Sequence, residues 1–292
     1  MEPSTATVSP PGRSAAGSAF IRRHSLAVRI LHWVNFITLA VMLMSGLQIF
    51  NAHPALYWGA TSHFSRPILS MGAMEDGEGH TWGVTTVGSH TFVTTGVLGW
   101  SKGSEGTYVD RGFPTWATLP GPRWLAMGRA WHFFFAWILV VNGVLYVVLG
   151  ILSGHIRRDL WLTRMDWRRL GHTCLEHVRL RFPKGDEARR YNGIQKLAYL
   201  CIIFIVAPVI VLTGLTMSPT MDAGWPWLLR LFDGHQSART IHFICAMSLL
   251  AFFIVHIGMV ILSGVWNNVR SMVTGRYAIE TGPAGAGRPD HE

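Results

Sequence analysis

This chain has little charge: 14% of its 292 residues are charged, against 49% hydrophobic. Soluble domains carry roughly a quarter charged residues, so the composition argues against a soluble fold and toward lipid. Cysteine is also scarce. Cys174, Cys201 and Cys245 form an odd set, two of them inside apolar runs, which speaks against a disulfide framework. None forms a zinc-type pair, and no Cys-x-x-Cys-His run exists, so any haem would be held without covalent links. Residues 1–20 lack the apolar stretch of a secretory signal, and their Ser, Ala, Pro and Gly content predicts a disordered tail. The same composition extends the expectation to 276–292.

Acidic residues are outnumbered, 16 against 25 basic, giving a formal net charge of +9. A nucleic-acid binder gathers its basic residues on one folded face. Here they lie between apolar runs, so the charge reads as membrane topology, with lipid and not nucleic acid as the partner.

Four apolar stretches are long enough to cross about 30 Å of hydrocarbon as helices: about 28–50, 130–152, 196–217 and 240–265. Open strands are excluded there by unpaired backbone groups. The expected fold is all-α, an integral membrane four-helix bundle over 21–275. The connection 153–195 is rich in arginine, including Arg157, Arg158, Arg164, Arg168 and Arg169, which predicts a cytoplasmic location and cytoplasmic termini. The connection 51–129 is long, nearly balanced in charge and rich in Gly and Thr. It is predicted on the periplasmic side, with room for short strands around GEGHTWGVTTVGSHTFVTT.

A histidine inside a membrane span is costly unless paired or ligating. Four qualify: His32, His132, His242 and His256. His242 and His256 are fourteen residues apart, which returns to within about 40° of one helix face and climbs about 21 Å. That suits two stacked haem b groups, each needing two strong axial ligands. Alternating topology pairs His132 with His242 and His32 with His256 by depth. Gly46, fourteen residues after His32, leaves room for a flat macrocycle at the periplasmic level. Arg29 and Arg239, three residues before His32 and His242, are candidates for haem propionates, with interfacial anchoring as the alternative.

The stretches RRHSLAVRILHW, YNGIQKLAY and GHQSARTIHF, with the spacing of His242 and His256, resemble the b-type cytochrome subunits of the thiosulfate-reductase, formate-dehydrogenase and nickel-iron-hydrogenase group. The likeness runs over about residues 22–275. It implies a subunit in a bacterial inner membrane that carries electrons between quinone and a periplasmic redox subunit, a molybdopterin enzyme. It also implies a quinone pocket on Asn192, Gly193 and Gln195, beside the ligand His256, where amides can hydrogen-bond a quinone carbonyl. His24 is the candidate for handling the proton. Ordinary helix caps are the alternative for these residues.

Two rival functions share parts of this pattern. A self-contained superoxide:quinone oxidoreductase needs a basic funnel near the periplasmic haem, for which Arg123, Arg129 and Arg239 are available. A non-redox transporter or scaffold would use the histidines as proton relays or packing groups, but neither inverted repeats nor broken helices are evident.

Overall fold

The computed structural model describes residues 18–168, 171 and 193–280. They form two compact units. One comprises the chain up to Arg29 and from Val260 onward, the other Ile30–Met259.

Four helices are long and apolar enough to cross a membrane: α1 (Leu26–Phe50), α2 (Leu125–Leu152), α3 (Gly193–Thr216) and α6 (His235–Leu262). Their burial pattern is inverted relative to a soluble protein. Thr38, Ser45, Thr213 and Asn142 are buried, whereas Phe134, Trp137 and Leu152 are exposed. Hydroxyls and amides inside, hydrocarbon outside, is the arrangement lipid demands. The chain is a multi-pass integral membrane protein.

Two helices begin about one turn earlier than their apolar runs, α2 at Leu125 and α6 at His235. Polar and small residues there continue the backbone ladder beyond the hydrocarbon-like stretch, which hydropathy alone does not register. α3 contains a π-turn over Ile202–Val206 just before Pro208. The wider turn accommodates the residue that brings no N–H and crowds the preceding carbonyl. Short helices α4 (Pro219–Gly224) and α5 (Pro226–Leu231) join α3 to α6.

The connection between α1 and α2 corrects the all-α expectation for that part of the chain. Strands β2 (Ala55–Leu56), β3 (Leu69–Glu75), β4 (Thr81–Val87) and β5 (His90–Val93) form one antiparallel sheet in chain order. β6 (Gly99–Lys102) and β7 (Tyr108–Arg111) form a second. The sheets cross closely at glycine: a Cβ on Gly83 would lie 2.5 Å from the Leu98 carbonyl oxygen, and one on Gly99 2.4 Å from that of Gly72. No larger residue fits either place without moving backbone.

This β module is fastened to the helices. Phe113 packs on Phe50 at the end of α1 and on Phe243 in α6, with ring centroids 5.6 and 6.5 Å apart. Leu56, Met71, Leu69 and Leu98 extend the same core. Asn51 Nδ2 donates to the Phe113 carbonyl at 3.1 Å, and Phe113 N–H donates back to Asn51 Oδ1 at 2.7 Å. Ser237 and Thr240 of α6 bond the backbone of Gly59 and Tyr57.

The other unit corrects the tail expectation at its edges. β1 (Ser18–Arg22) pairs antiparallel with β8 (Arg276–Glu280), and α7 (Val265–Thr274) lies between α6 and β8 in the chain. Aromatic and β-branched residues in SAFIR and RYAIE suit a two-stranded ribbon, and each strand supplies the hydrogen bonds the other lacks. Residues 1–17 and 281–292 lie outside the described residues.

Candidate haem-binding site between the spans

The helices bring the four span histidines together in two pairs. His132 of α2 faces His242 of α6 with ring centroids 6.2 Å apart. His32 of α1 faces His256 of α6 at 6.4 Å. Two imidazoles ligating one metal from opposite sides, with bonds of about 2 Å, have centroids about 6.3 Å apart. Each pair therefore has the separation of a bis-imidazole metal site. Among the described residues no group of three or more His, Cys, Asp or Glu gathers at metal-binding distance. A two-imidazole donor set is incomplete for zinc or copper and fits an iron whose other four donors come from a porphyrin.

The upper pair is held by two copies of one device. Ser45 Oγ on α1 donates to the Val41 carbonyl at 2.6 Å and stands 3.1 Å from His132 Nδ1. On α3, Thr213 Oγ1 donates to the Val209 carbonyl at 2.7 Å and stands 3.2 Å from His242 Nδ1, which bonds the Ile210 carbonyl at 3.0 Å. The Ile210 carbonyl only accepts, and the Ser45 hydroxyl already donates to Val41, so Nδ1 carries the proton in both rings and Nε2 is left as the lone-pair donor. The next residue in each case is glycine. A Cβ on Gly46 would meet His132 Cε1 at 3.2 Å, and one on Gly214 would meet His242 Cε1 at 3.3 Å. Gly46, expected to leave room for a macrocycle, lies against the edge of the His132 imidazole.

The lower pair is held differently. Phe252 stacks near-parallel on His256 at 6.1 Å, and Trp33 meets His32 edge-on at 5.5 Å. Asn142 of α2, buried, donates to the Leu31 carbonyl at 3.0 Å and to Asn35 Oδ1 at 2.7 Å, gripping the turn of α1 that carries His32. His32 Nδ1 is buried with no hydrogen-bond partner among the described residues.

The predicted arginines turn elsewhere. Arg239 donates to the carbonyls of Ala55 and His53 and lies over the Phe50 ring, tying α6 to the β module. Arg29 donates to the Val273 carbonyl within the other unit, to which His24 also belongs. Gly193, buried, and Gln195, half-buried, occupy the first turn of α3; Asn192 lies outside the described residues. His53, in the connection between α1 and α2, stacks on Tyr57 at 5.6 Å, and burial followed by the nearby Arg239 charge lowers its pKa.

Ser45, Thr213, Gly214 and Asn142 were not singled out by sequence reasoning. A signal was available: a hydroxyl residue followed by glycine occurs within both spans, as Ser45-Gly46 and Thr213-Gly214.

The sequence profile of the family described as prokaryotic cytochrome b561 matches residues 23–275. The chain belongs to this family. A prokaryotic cytochrome b561 is a membrane electron-transfer subunit, and membership implies haem b. This cytochrome b561 is also similar to a chain of Azospira oryzae provisionally named protein-methionine-sulfoxide reductase subunit YedZ1. The two are 32% identical over 164 residues, which cover 56% of this chain and 79% of the relative. No solved structure matches the chain.

Proposed function

We propose that this cytochrome b561 binds two haem b groups and passes electrons across the inner membrane between quinone and a periplasmic redox subunit, a molybdopterin enzyme. The observation that carries the reading is the pair of facing imidazoles at each of two levels on α6, 6.2 and 6.4 Å apart. When bound, each haem supplies a one-electron couple, which suits stepwise exchange with a two-electron quinol. His132 and His242 would hold one haem iron and His32 and His256 the other, and two imidazoles to each iron would suit electron transfer over oxygen chemistry. Ser45, Thr213 and the Ile210 carbonyl fix the rings of His132 and His242 through Nδ1, leaving Nε2 free for the iron. Gln195, Gly193 and Asn192 at the entry to α3 are the proposed quinone-binding segment, where side-chain amides donate to a quinone carbonyl.

The arginine-rich connection 153–195 supports a cytoplasmic side for the His32–His256 level and a periplasmic side for the β module. A partner's redox centre then approaches beside the His132–His242 pair. The name of the Azospira relative, a reductase subunit, supports a partner-dependent role over a self-contained superoxide:quinone oxidoreductase. The test is stopped-flow addition of quinol to the oxidised full chain in nanodiscs. The reading expects reduction of both haems, slowed roughly tenfold or more in Gln195→Leu. An absence of reduction by any quinol would remove quinone from the function.

A further inference from the structure

The unit built from β1, β8 and α7 is inside out in polarity. On α7, Ser271 is 1% exposed and donates to the Asn268 carbonyl, while Asn267 exchanges two hydrogen bonds with Ala278 of β8, at 2.8 and 2.9 Å. The outward face carries Val265, Val269 and Val273, at the spacing of one helix stripe, and Trp266, which is 85% exposed. Facing water, that stripe would be a liability; at a bilayer surface it is the buried side of an interfacial helix. Its position agrees. α6 ends at Leu262, and after Ser263 the left-handed Gly264, with φ 102°, starts α7 where the span leaves the hydrocarbon.

Beside this helix lies a pocket of about 580 Å³ lined by Phe20, Arg22, Arg29, Thr274, Gly275 and Arg276. Three guanidinium groups share it. Arg23 and Arg270 flank it over the rings of Tyr277 and Phe20. Arg29 Nε and Arg270 Nε are buried with no hydrogen-bond partner among the described residues. The described sequence of this unit holds five arginines and a single acidic residue.

We infer that this unit is an anionic-phospholipid site. Arg22, Arg29 and Arg276 receive the lipid phosphate, and the acyl chains run along Val265, Trp266, Val269 and Val273. Arginine forks suit phosphate oxygens, and the apolar stripe selects a lipid over a free anion.

The test is native mass spectrometry of the full chain in mild detergent, with phosphatidylglycerol, phosphatidylcholine or inorganic phosphate added. Phosphatidylglycerol is expected to be retained roughly tenfold over phosphatidylcholine, and Arg22→Gln/Arg276→Gln to abolish the preference without changing haem per chain. Equal retention of the two lipids, or a preference surviving in the variant, overturns the inference. Displacement of phosphatidylglycerol by millimolar phosphate makes it a free-anion site, and loss of haem in the variant assigns the arginines to cofactor carboxylates; either also overturns it. Quenching of Trp266 by brominated lipid, read as wild type minus Trp266→Phe, gives an independent check. An unquenched Trp266 contradicts the membrane placement.

Discussion

Gly46 lies against the imidazole of His132 so closely that a single added carbon would stand 3.2 Å from Cε1, and Gly214 repeats the contact on His242 at 3.3 Å. Neither ring can retreat freely, because each is hydrogen-bonded through Nδ1 to the helix that carries the glycine. Gly46→Ala and Gly214→Ala should therefore tilt the same pair of ligands. Each is expected to cost about 1–3 kcal/mol of stability and to perturb one haem, the same one in both variants. Thermal unfolding and the visible spectrum check this; a different haem affected by each variant would break the cradle account.

Asn142→Leu keeps the volume but leaves the Asn35 side chain and the Leu31 carbonyl without their donor. Such interhelical bonds are worth about 0.6 kcal/mol on average and up to about 1.7 in a bundle. The variant should unfold at lower denaturant by that amount and shift the potential of the His32–His256 haem, with the other unmoved.

In the β module Arg111 is 2% exposed and donates to Phe113 O, Thr115 Oγ1, Thr118 Oγ1 and Gly121 O. Burial, then the Arg123 charge, lowers its pKa from the usual guanidinium range, leaving a buried cation held by oxygens. Arg111→Met strands several acceptors and should cost about 3 kcal/mol or more. Limited proteolysis is expected to open the module between residues 51 and 123 while haem content stays intact; loss of haem first would mean the bundle depends on the module.

His53 has a pKa below the ordinary 6.5, from burial and then Arg239. The unfolded chain therefore takes up this proton at higher pH than the folded one. Stability should be fully present above about pH 6.5 and fall on acidification through that value toward the lower folded pKa. Asp76, held down by the N–H groups of His80 and Glu78 and by Trp82, adds a loss only near and below the carboxylate range. His53→Gln should flatten the first step in a pH series of module unfolding and leave the second.

How much of this was legible beforehand depended on the strength of each signal. Four spans and their histidines stood out because lipid penalises polar groups, so an exception such as His256 is conspicuous. The pairing by depth followed from helix rise, and the rings face each other in those pairs at 6.2 and 6.4 Å. The β module was only hinted at, since a strand such as β3, in which Met71 alone is buried, shows no clean alternation. Ser45 and Thr213 were hidden because a hydroxyl inside a span usually satisfies itself on its own helix, as both also do here. The partners that Arg239 has, the carbonyls of His53 and Ala55, come from a connection whose path hydropathy does not describe.

The most direct test of the central claim is a haem-to-protein ratio with reduced-minus-oxidised spectra for the full chain and for His32→Ala, His132→Ala, His242→Ala and His256→Ala. Two haems are expected in the parent, with His132→Ala and His242→Ala losing one and the same haem and His32→Ala and His256→Ala losing the other. A single haem in the parent, or His242→Ala and His256→Ala removing the same haem, would contradict the account.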